Sequence, residues 1–348
     1  MIPFPIDEVR ARFPALADSR RIYLDCPGGT QVCAPAIEAM VAHLEGGTAN
    51  SGGVFRTSVE TDALSHAAHA AMADLLGAEA REIAFGQNMT SLTLAVSRAL
   101  AREWREGDEL VVTRLDHDAN VAPWLAVAED RGMTVRWIDF DPATGVLDLG
   151  ALPAMLGERT RLVAVGGASN AIGTVNDIAA IAATVRAHSD ALLFVDAVQS
   201  VPHLVTDVRA LGCDLLVCSP YKFFGPHQGV LWGRGELLAR MKPYKVRSAS
   251  SEHGFETGTP SFEGQAAVLG TVEYLAALGA QLAPQATTRP VMLRAAMEGC
   301  LAYERRLGDR LLDGLRGLDA LKLWAADDGR PRAHLRRHPR RSRAARDG

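Results

Sequence analysis

The sequence predicts an α/β protein with a mostly parallel sheet covered by helices on both faces. Three observations carry this. From about residue 80 to 235, short β-branched or apolar runs alternate with longer Ala/Leu-rich stretches of helical period, as a βαβ series requires. The short runs are continuously apolar, which suits strands buried on both sides rather than on one. Polar residues with chemical potential cluster just after these runs, where open sheets of this class bind their ligands.

The expected strands, in order, are Glu82 to Phe85, Glu109 to Thr113, Thr134 to Asp139, Arg161 to Val165, Ala191 to Asp196, Asp214 to Cys218 and Gly229 to Trp232. Helices are expected between them at Ser91 to Trp104, Ala119 to Arg131 and Asp177 to His188. After Glu256 the pattern changes to long helices, Phe262 to Leu278 and Arg289 to Leu315, which reads as the start of a second, smaller domain. The expected division is an N-terminal segment (1–20) packing with the small domain, a large domain (21–255), the beginning of the small domain (256–328) and a tail (329–348). The tail, GRPRAHLRRHPRRSRAARDG, is rich in Arg and nearly devoid of apolar residues. Its composition predicts disorder rather than a buried element. A frame slip in a GC-rich gene would produce the same composition, and either reading leaves the small domain truncated.

Composition excludes several classes of partner. Of 348 residues, 48% are hydrophobic and 22% charged, with a formal net charge of −4, so neither nucleic acid nor an anionic membrane is implied. The start, MIPFPIDEVRARFPAL, lacks the basic-then-apolar pattern of a secretory signal, and no segment has the apolar length of a membrane span, which makes the cytoplasm the expected location. Five cysteines (Cys26, Cys33, Cys213, Cys218, Cys300) are irregularly spaced with no CxxC pair, so no metal site is expected. Cys213 and Cys218 read as buried core thiols.

Four segments carry chemistry. In Ser219-Pro220-Tyr221-Lys222-Phe223-Phe224-Gly225-Pro226 a lysine sits in a turn after a strand, among aromatic rings that disfavour its charged form. That is what an amine needs to form an imine, although most lysines are surface charges. Leu192-Leu193-Phe194-Val195-Asp196 is an apolar strand ending in a carboxylate. Such an Asp either caps the next segment or holds a pyridine nitrogen protonated. Phe85-Gly86-Gln87-Asn88-Met89-Thr90-Ser91 runs from strand through turn to helix, and the free N–H groups there suit a phosphate. Asn88 or Thr90 as a plain N-cap explains the same residues. Asp116-His117-Asp118-Ala119-Asn120 follows another strand, and an imidazole there either is structural or stacks on a planar cofactor. Neither GxxxxGK[ST] nor GxGxxG occurs, which removes the P-loop reading and leaves an NAD-dependent oxidoreductase without its glycine fingerprint.

Together these segments resemble the class V aminotransferase family of fold-type I pyridoxal-phosphate (PLP) enzymes, and most closely its cysteine desulfurase-like group. The resemblance runs from about Val9 to Leu315. It rests on Asp25-Cys26-Pro27-Gly28-Gly29-Thr30-Gln31-Val32, Gly86 to Leu92, Leu115 to Asn120, Ala168-Ser169-Asn170-Ala171-Ile172-Gly173, Val195-Asp196-Ala197-Val198-Gln199, Cys218 to Pro226 and Phe255-Glu256-Thr257-Gly258-Thr259, all in order. It implies a Schiff base on Lys222, which then shuttles the Cα proton, with His117 stacked on the ring and Asp196 paired with its nitrogen. Gln199 and Asn170 would bond the phenolic oxygen, and Asn88, Met89, Thr90 and Ser219 would surround the phosphate. Thr259 would reach a phosphate across a dimer interface, so a homodimer with shared sites is implied.

The substrate implied is an amino acid, with L-cysteine the leading candidate, and the reaction is C–S cleavage or β-elimination after Cα deprotonation. Transamination and epimerisation share the first steps. An inactive PLP-binding remnant is the alternative from another class. Three departures from the family pattern bear on this. Tyr221 stands where well-characterised desulfurases have His, and the C-terminal domain that supplies the substrate-binding arginine and the persulfide-forming cysteine is not matched. Cys26, beside Gly28-Gly29-Thr30, is then the one cysteine to test as sulfur acceptor. The third departure, Gln199, agrees with the desulfurases but replaces the His of many desulfurase-like relatives and preserves a hydrogen-bond donor.

Overall fold

The computed structural model describes residues 3–18, 20–247, 253–318, 321–323 and 337–339. In chain order its elements are α1 (Ile6–Ala11), α2 (Ala34–Gly46), α3 (Arg56–Leu76), β1 (Ile83–Gly86), α4 (Met89–Leu100), β2 (Glu109–Thr113), α5 (Ala122–Arg131), β3 (Thr134–Ile138), β4 (Thr160–Gly166) and α6 (Ile178–His188). There follow β5 (Leu192–Asp196), α7 (Val208–Leu211), β6 (Leu215–Cys218), β7 (Gly229–Gly233), α8 (Gly235–Arg240), α9 (Phe262–Leu282), α10 (Arg289–Arg316), β8 (Leu321–Leu323) and β9 (Arg337–Pro339).

Seven strands form one sheet in the order β1-β7-β6-β5-β4-β2-β3. Pairing is parallel throughout except that β7 runs against both of its neighbours. The apolar runs alternate between two cores, one on each face. Val111, Val163, Val165, Leu193, Val195, Leu216 and Trp232 join α3, α6 and α9 on one side. Leu110, Val112, Leu162, Ala164, Phe194, Leu215 and Leu231 join α4 and α5 on the other. Side chains of successive strand residues point to opposite faces, so a strand apolar at every position must be covered twice.

The expected strands and the later helices are found within a few residues of their predicted limits. The helices α2 and α3 were not anticipated. The buried side of α3 is built largely from small or polar residues, Ser58, Thr61, Ala68, His69 and Ala71, before Met72, Leu75 and Leu76 take over. That stripe carries too little apolar contrast to read as a period. The helix α9 contributes Ala267, Val268, Val272 and Leu275 to the same core as α3 and the sheet. The proposed boundary at 255/256 thus falls in the loop that leads into this packed helix. Within the Arg-rich tail, Arg337–Pro339 pairs antiparallel with Leu321–Leu323, an element the composition gave no reason to expect. Residues 329–336 and 340–348 lie outside the described residues. Among the described residues no helix is long and apolar enough to cross a membrane.

One buried carboxylate holds the β1–β7 edge together. Glu82 is 3% exposed and receives hydrogen bonds from Arg209, from Trp232 Nε1 at 3.2 Å and from the N–H groups of Gly235 at 3.2 Å and Glu79 at 3.1 Å. Burial alone would push its carboxyl up, but Arg209 and the other donors reverse this and hold it below the ordinary glutamate range. Glu82→Ala is expected to lower unfolding free energy by about 2–3 kcal/mol, because it leaves three N–H donors without their acceptor, while the half-exposed Arg209 guanidinium can turn to water. Urea denaturation of the two proteins checks this. A loss below about 1 kcal/mol would mean that water replaces the carboxylate at little cost.

Candidate active site

The turn that carries Lys222 is clamped by the segment Thr30 to Cys33. Residues 220–222 form a single helical turn directly after β6, and Phe224 follows with φ of 76°, a left-handed backbone rare for a residue with a side chain. The segment around Thr30 holds that conformation. Thr30 N–H donates to Tyr221 O at 2.9 Å, Thr30 Oγ1 accepts from Phe224 N–H at 2.8 Å, and Cys33 N–H donates to Phe224 O at 3.0 Å. Backbone strain of this kind persists where surrounding bonds over-determine it.

Lys222 is 8% exposed, and its Nζ donates to Pro27 O. Gln199 Nε2 donates to the same carbonyl at 3.1 Å. Desolvation lowers the Lys222 pKa, and Asp196 opposes the change. Asp196, at the end of β5, is buried and accepts from Val198 N–H at 2.9 Å. Burial pushes its carboxyl up to about 6, against the pull of Val198 N–H and the Lys222 charge. The structure thus brings Lys222, Asp196 and Gln199 to one place. Pro27 is a member of that place which the sequence did not assign, and only its backbone oxygen takes part.

Asp116 is a second group that sequence reasoning passed over. Its carboxylate accepts from Thr113 Oγ1 at 2.8 Å and Asn120 Nδ2 at 2.7 Å, and Asn120 Oδ1 in turn accepts from Trp124 Nε1 at 3.3 Å. Burial of this carboxylate and the neighbouring Asp196 raise its pKa to about 7, with burial the larger cause. The signal in the sequence is the carboxylate of Asp116, which stands just after β2 and directly before His117. His117 itself is exposed, and its Nδ1 accepts from Ala119 N–H at 3.1 Å, which leaves the ring proton on Nε2.

Asn88 caps α4, its Oδ1 accepting from Ser91 N–H at 2.8 Å while its carbonyl accepts from Leu92 N–H at 3.2 Å. The N-cap reading of this turn is what the structure shows, and the cap leaves the first N–H groups of the helix, those of Met89 and Thr90, without intrahelical partners. Gly229 on β7 passes so close that an added Cβ would lie 2.4 Å from Asn88 C, so only glycine allows this approach. Ser219, 1% exposed, has an Oγ with no hydrogen-bond partner. Asn170 is half-buried in the turn bridged between Ala168 and Val175. Thr259 is exposed and lines a cavity of about 400 Å³ with Gly86, Gln87, His227 and Gln228.

The family model for aminotransferase class V matches residues 22–333. The chain belongs to that family. It is a PLP-dependent enzyme of the cysteine desulfurase-like kind. A cysteine desulfurase of Yersinia pestis (strain Pestoides F) is 33% identical over 298 residues, which span 79% of this chain and 73% of the relative. The solved apo cysteine desulfurase of Thermococcus onnurineus NA1 superposes with a TM-score of 0.82 at 25% identity, over 95% of this chain and 81% of that one. A solved lysine-to-alanine mutant of the protein named C-DES, with glycine covalently linked to its PLP cofactor, gives 0.75 at 25% identity over 91% and 82% of the two chains.

The residues present fit PLP on three observations. The Ser219 hydroxyl is a buried polar atom without a partner, which a phosphate oxygen would satisfy. Asp196 is a buried carboxylate with its pKa raised, and a protonated ring nitrogen would give it the cation its burial calls for. Lys222 is a buried amine whose pKa burial lowers.

Proposed function

We propose that the chain removes sulfur from L-cysteine, and the observation that carries the reading is the buried Lys222, which meets Gln199 at Pro27 O and lies close enough to Asp196 for the two charges to act on each other. Lys222 would bind the cofactor and then move the Cα proton. Because burial depresses its pKa, more of the amine is neutral near pH 7 than for a surface lysine, as a proton acceptor requires. Pro27 O holds Nζ in place between transfers. Asp196 would hold the proton on the ring nitrogen, Gln199 and Asn170 would donate to the phenolic oxygen, and His117 would cover the ring face with Nε2–H free to donate. Asn88, Met89, Thr90 and Ser219 would enclose the phosphate, with Thr259 reaching that of a partner subunit in a homodimer. When bound, the cofactor supplies the electron sink for charge developing at Cα.

The sulfur acceptor is the weaker part of the chemistry on this chain. Cys26 is exposed and adjoins Pro27, yet desolvation and Asp25 raise its thiol pKa. An activated thiolate needs the opposite shift. An added dithiol is therefore the expected acceptor in vitro.

The test is to incubate the PLP-loaded chain with L-cysteine and dithiothreitol and to measure alanine and sulfide. Equal amounts of the two support desulfuration, with the dithiol supplying the two electrons. Pyruvate with ammonia would show β-elimination, a pyridoxamine-dependent exchange with keto acids would show transamination, and racemised cysteine would show epimerisation. No turnover of cysteine by a folded, yellow protein sinks the proposal. A cytoplasmic location agrees with this chemistry, since it runs on reduced thiols.

A further inference from the structure

Away from the Lys222 cluster, three buried side chains from two distant parts of the sequence converge. His69 of α3, His253 and Glu256 each offer a ligand-type atom, and these atoms lie within 4.8 Å of one another. The residues are 1%, 8% and 6% exposed. The two imidazoles stack with centroids 3.9 Å apart, and His69 Nε2 lies 2.7 Å from Glu256 Oε1, across 187 positions of sequence. No spacing motif betrays such a group, because its members meet only through the fold.

The orientation of the rings is informative. His69 Nδ1 lies 2.7 Å from Ser65 O, and His253 Nδ1 lies 2.9 Å from Ile83 O. A carbonyl only accepts, so each Nδ1 carries hydrogen, which makes Nε2 the ring atom that would face an ion; at His69 the proton shared with Glu256 Oε1 at 2.7 Å would leave as the ion enters. Metal-ligating histidines are fixed in this way, with the second ring nitrogen donating to a carbonyl. Glu256 is fixed too, its Oε1 accepting from Phe85 N–H at 2.9 Å.

We propose that His69, His253 and Glu256 form a binding site for a divalent transition-metal ion of the zinc class. Two imidazoles and one carboxylate are a donor set that zinc accepts, with water in the fourth position. Two of the three ligand residues also line cavities. His253 lines a cavity of about 1020 Å³ with Ile83 and Ala84, and Glu256 lines the cavity of about 400 Å³ with Phe85 and Thr259. Through its ligands the ion joins α3, the β1 strand and the segment that leads to Thr259, so it acts as a clasp on that segment. The competing account is a metal-free His69–Glu256 ion pair, for which the 2.7 Å contact also suffices. This inference stands apart from the choice of substrate.

The test uses the PLP-loaded chain, dialysed into metal-free buffer and analysed for zinc by mass spectrometry. The chain is then stripped with a chelator and titrated with Zn²⁺ or Co²⁺ alone. The expected result is about one ion per chain, a cobalt d–d band at longer wavelength than the cofactor's own absorption, and a higher melting temperature with metal than without. His69→Gln and His253→Gln should each weaken binding at least about tenfold, whereas Cys26→Ser should leave it unchanged. Far-ultraviolet dichroism and the cofactor band report whether the variants fold. Should they not fold, the wild type decides: loading below about 0.1 ion per chain, or a melting temperature indifferent to metal and chelator, overturns the site in favour of the ion pair. Metal retained by folded His69→Gln and His253→Gln overturns it as well.

Discussion

Lys222→Ala is expected to lower turnover of L-cysteine by at least about 10³-fold and to lose the covalent attachment of cofactor that borohydride fixes in the wild type. The variant should still fold. Its side chain makes one hydrogen bond, to Pro27 O, and the turn around it is held by Thr30, Tyr221, Phe224 and Cys33 through backbone and hydroxyl bonds that alanine does not disturb. Cofactor should still associate with the variant through the Asn88 turn and Ser219, so equilibrium dialysis should find PLP bound but not covalently held. The outcome that would sink the assignment is a variant that still retains cofactor covalently after borohydride and keeps the activity. Loss of all PLP together with loss of fold would instead show Lys222 to be a structural residue, and Lys222→Arg, which keeps charge and length without an imine-forming amine, separates the two. A folded Lys222→Arg should be as inactive as the alanine variant.

Much of this site was legible in the sequence because its parts sit at the ends of strands. A short apolar run such as Leu192 to Val195, set between helical stretches, reads as a doubly covered strand, and a polar residue at its end, Asp196, then emerges beside the neighbouring strand ends. The parallel pairing of β4, β5 and β6 then brings Gly166, Asp196 and the Ser219 to Lys222 turn together. What stayed hidden was carried by backbone atoms or by pairs distant in sequence. Pro27 O is a carbonyl and has no letter of its own, although Pro27 lay within a recognised segment. Asp116 was visible as a residue, but its role depends on facing Asp196, which no spacing encodes. The stacking of Tyr221 on His227, with centroids 4.7 Å apart, gives the residue in place of the expected histidine a partner beside Lys222, and places an imidazole near the turn from the other side of Gly225. The helix α3 was missed because small residues bury without leaving a strong period.

The Asp196 and Asp116 carboxylates lead to the second large effect. Asp196→Asn should lower turnover about 10²–10³-fold, since a neutral amide cannot balance a protonated ring nitrogen, while its oxygen still accepts from Val198 N–H and preserves the turn. The same pair predicts an unusual pH dependence for the chain stripped of cofactor. Asp196 is raised to about 6 and Asp116 to about 7, so between roughly pH 4 and 7 the folded chain holds protons that the unfolded chain releases. A carboxylate raised in this way contributes its stability fully below the unfolded pKa and loses it as pH rises through the folded value. Carboxylates depressed by partners, Glu82, Asp108 and Glu109 among them, act with the opposite sign, but their contribution is complete by about pH 5. From pH 5 to 8 the apo chain should therefore lose stability, on the order of 3 kcal/mol. Urea denaturation at the two pH values measures the loss. In Asp196→Asn one titrating group is gone and the charge that helps raise Asp116 is gone with it, so the decline should be visibly shallower; restoring PLP to the wild type should also flatten it, by giving Asp196 a cationic partner. An apo wild type as stable at pH 8 as at pH 5 would mean that Asp196 and Asp116 are already ionised in the fold, and Asp196 would then need no cofactor to balance its burial.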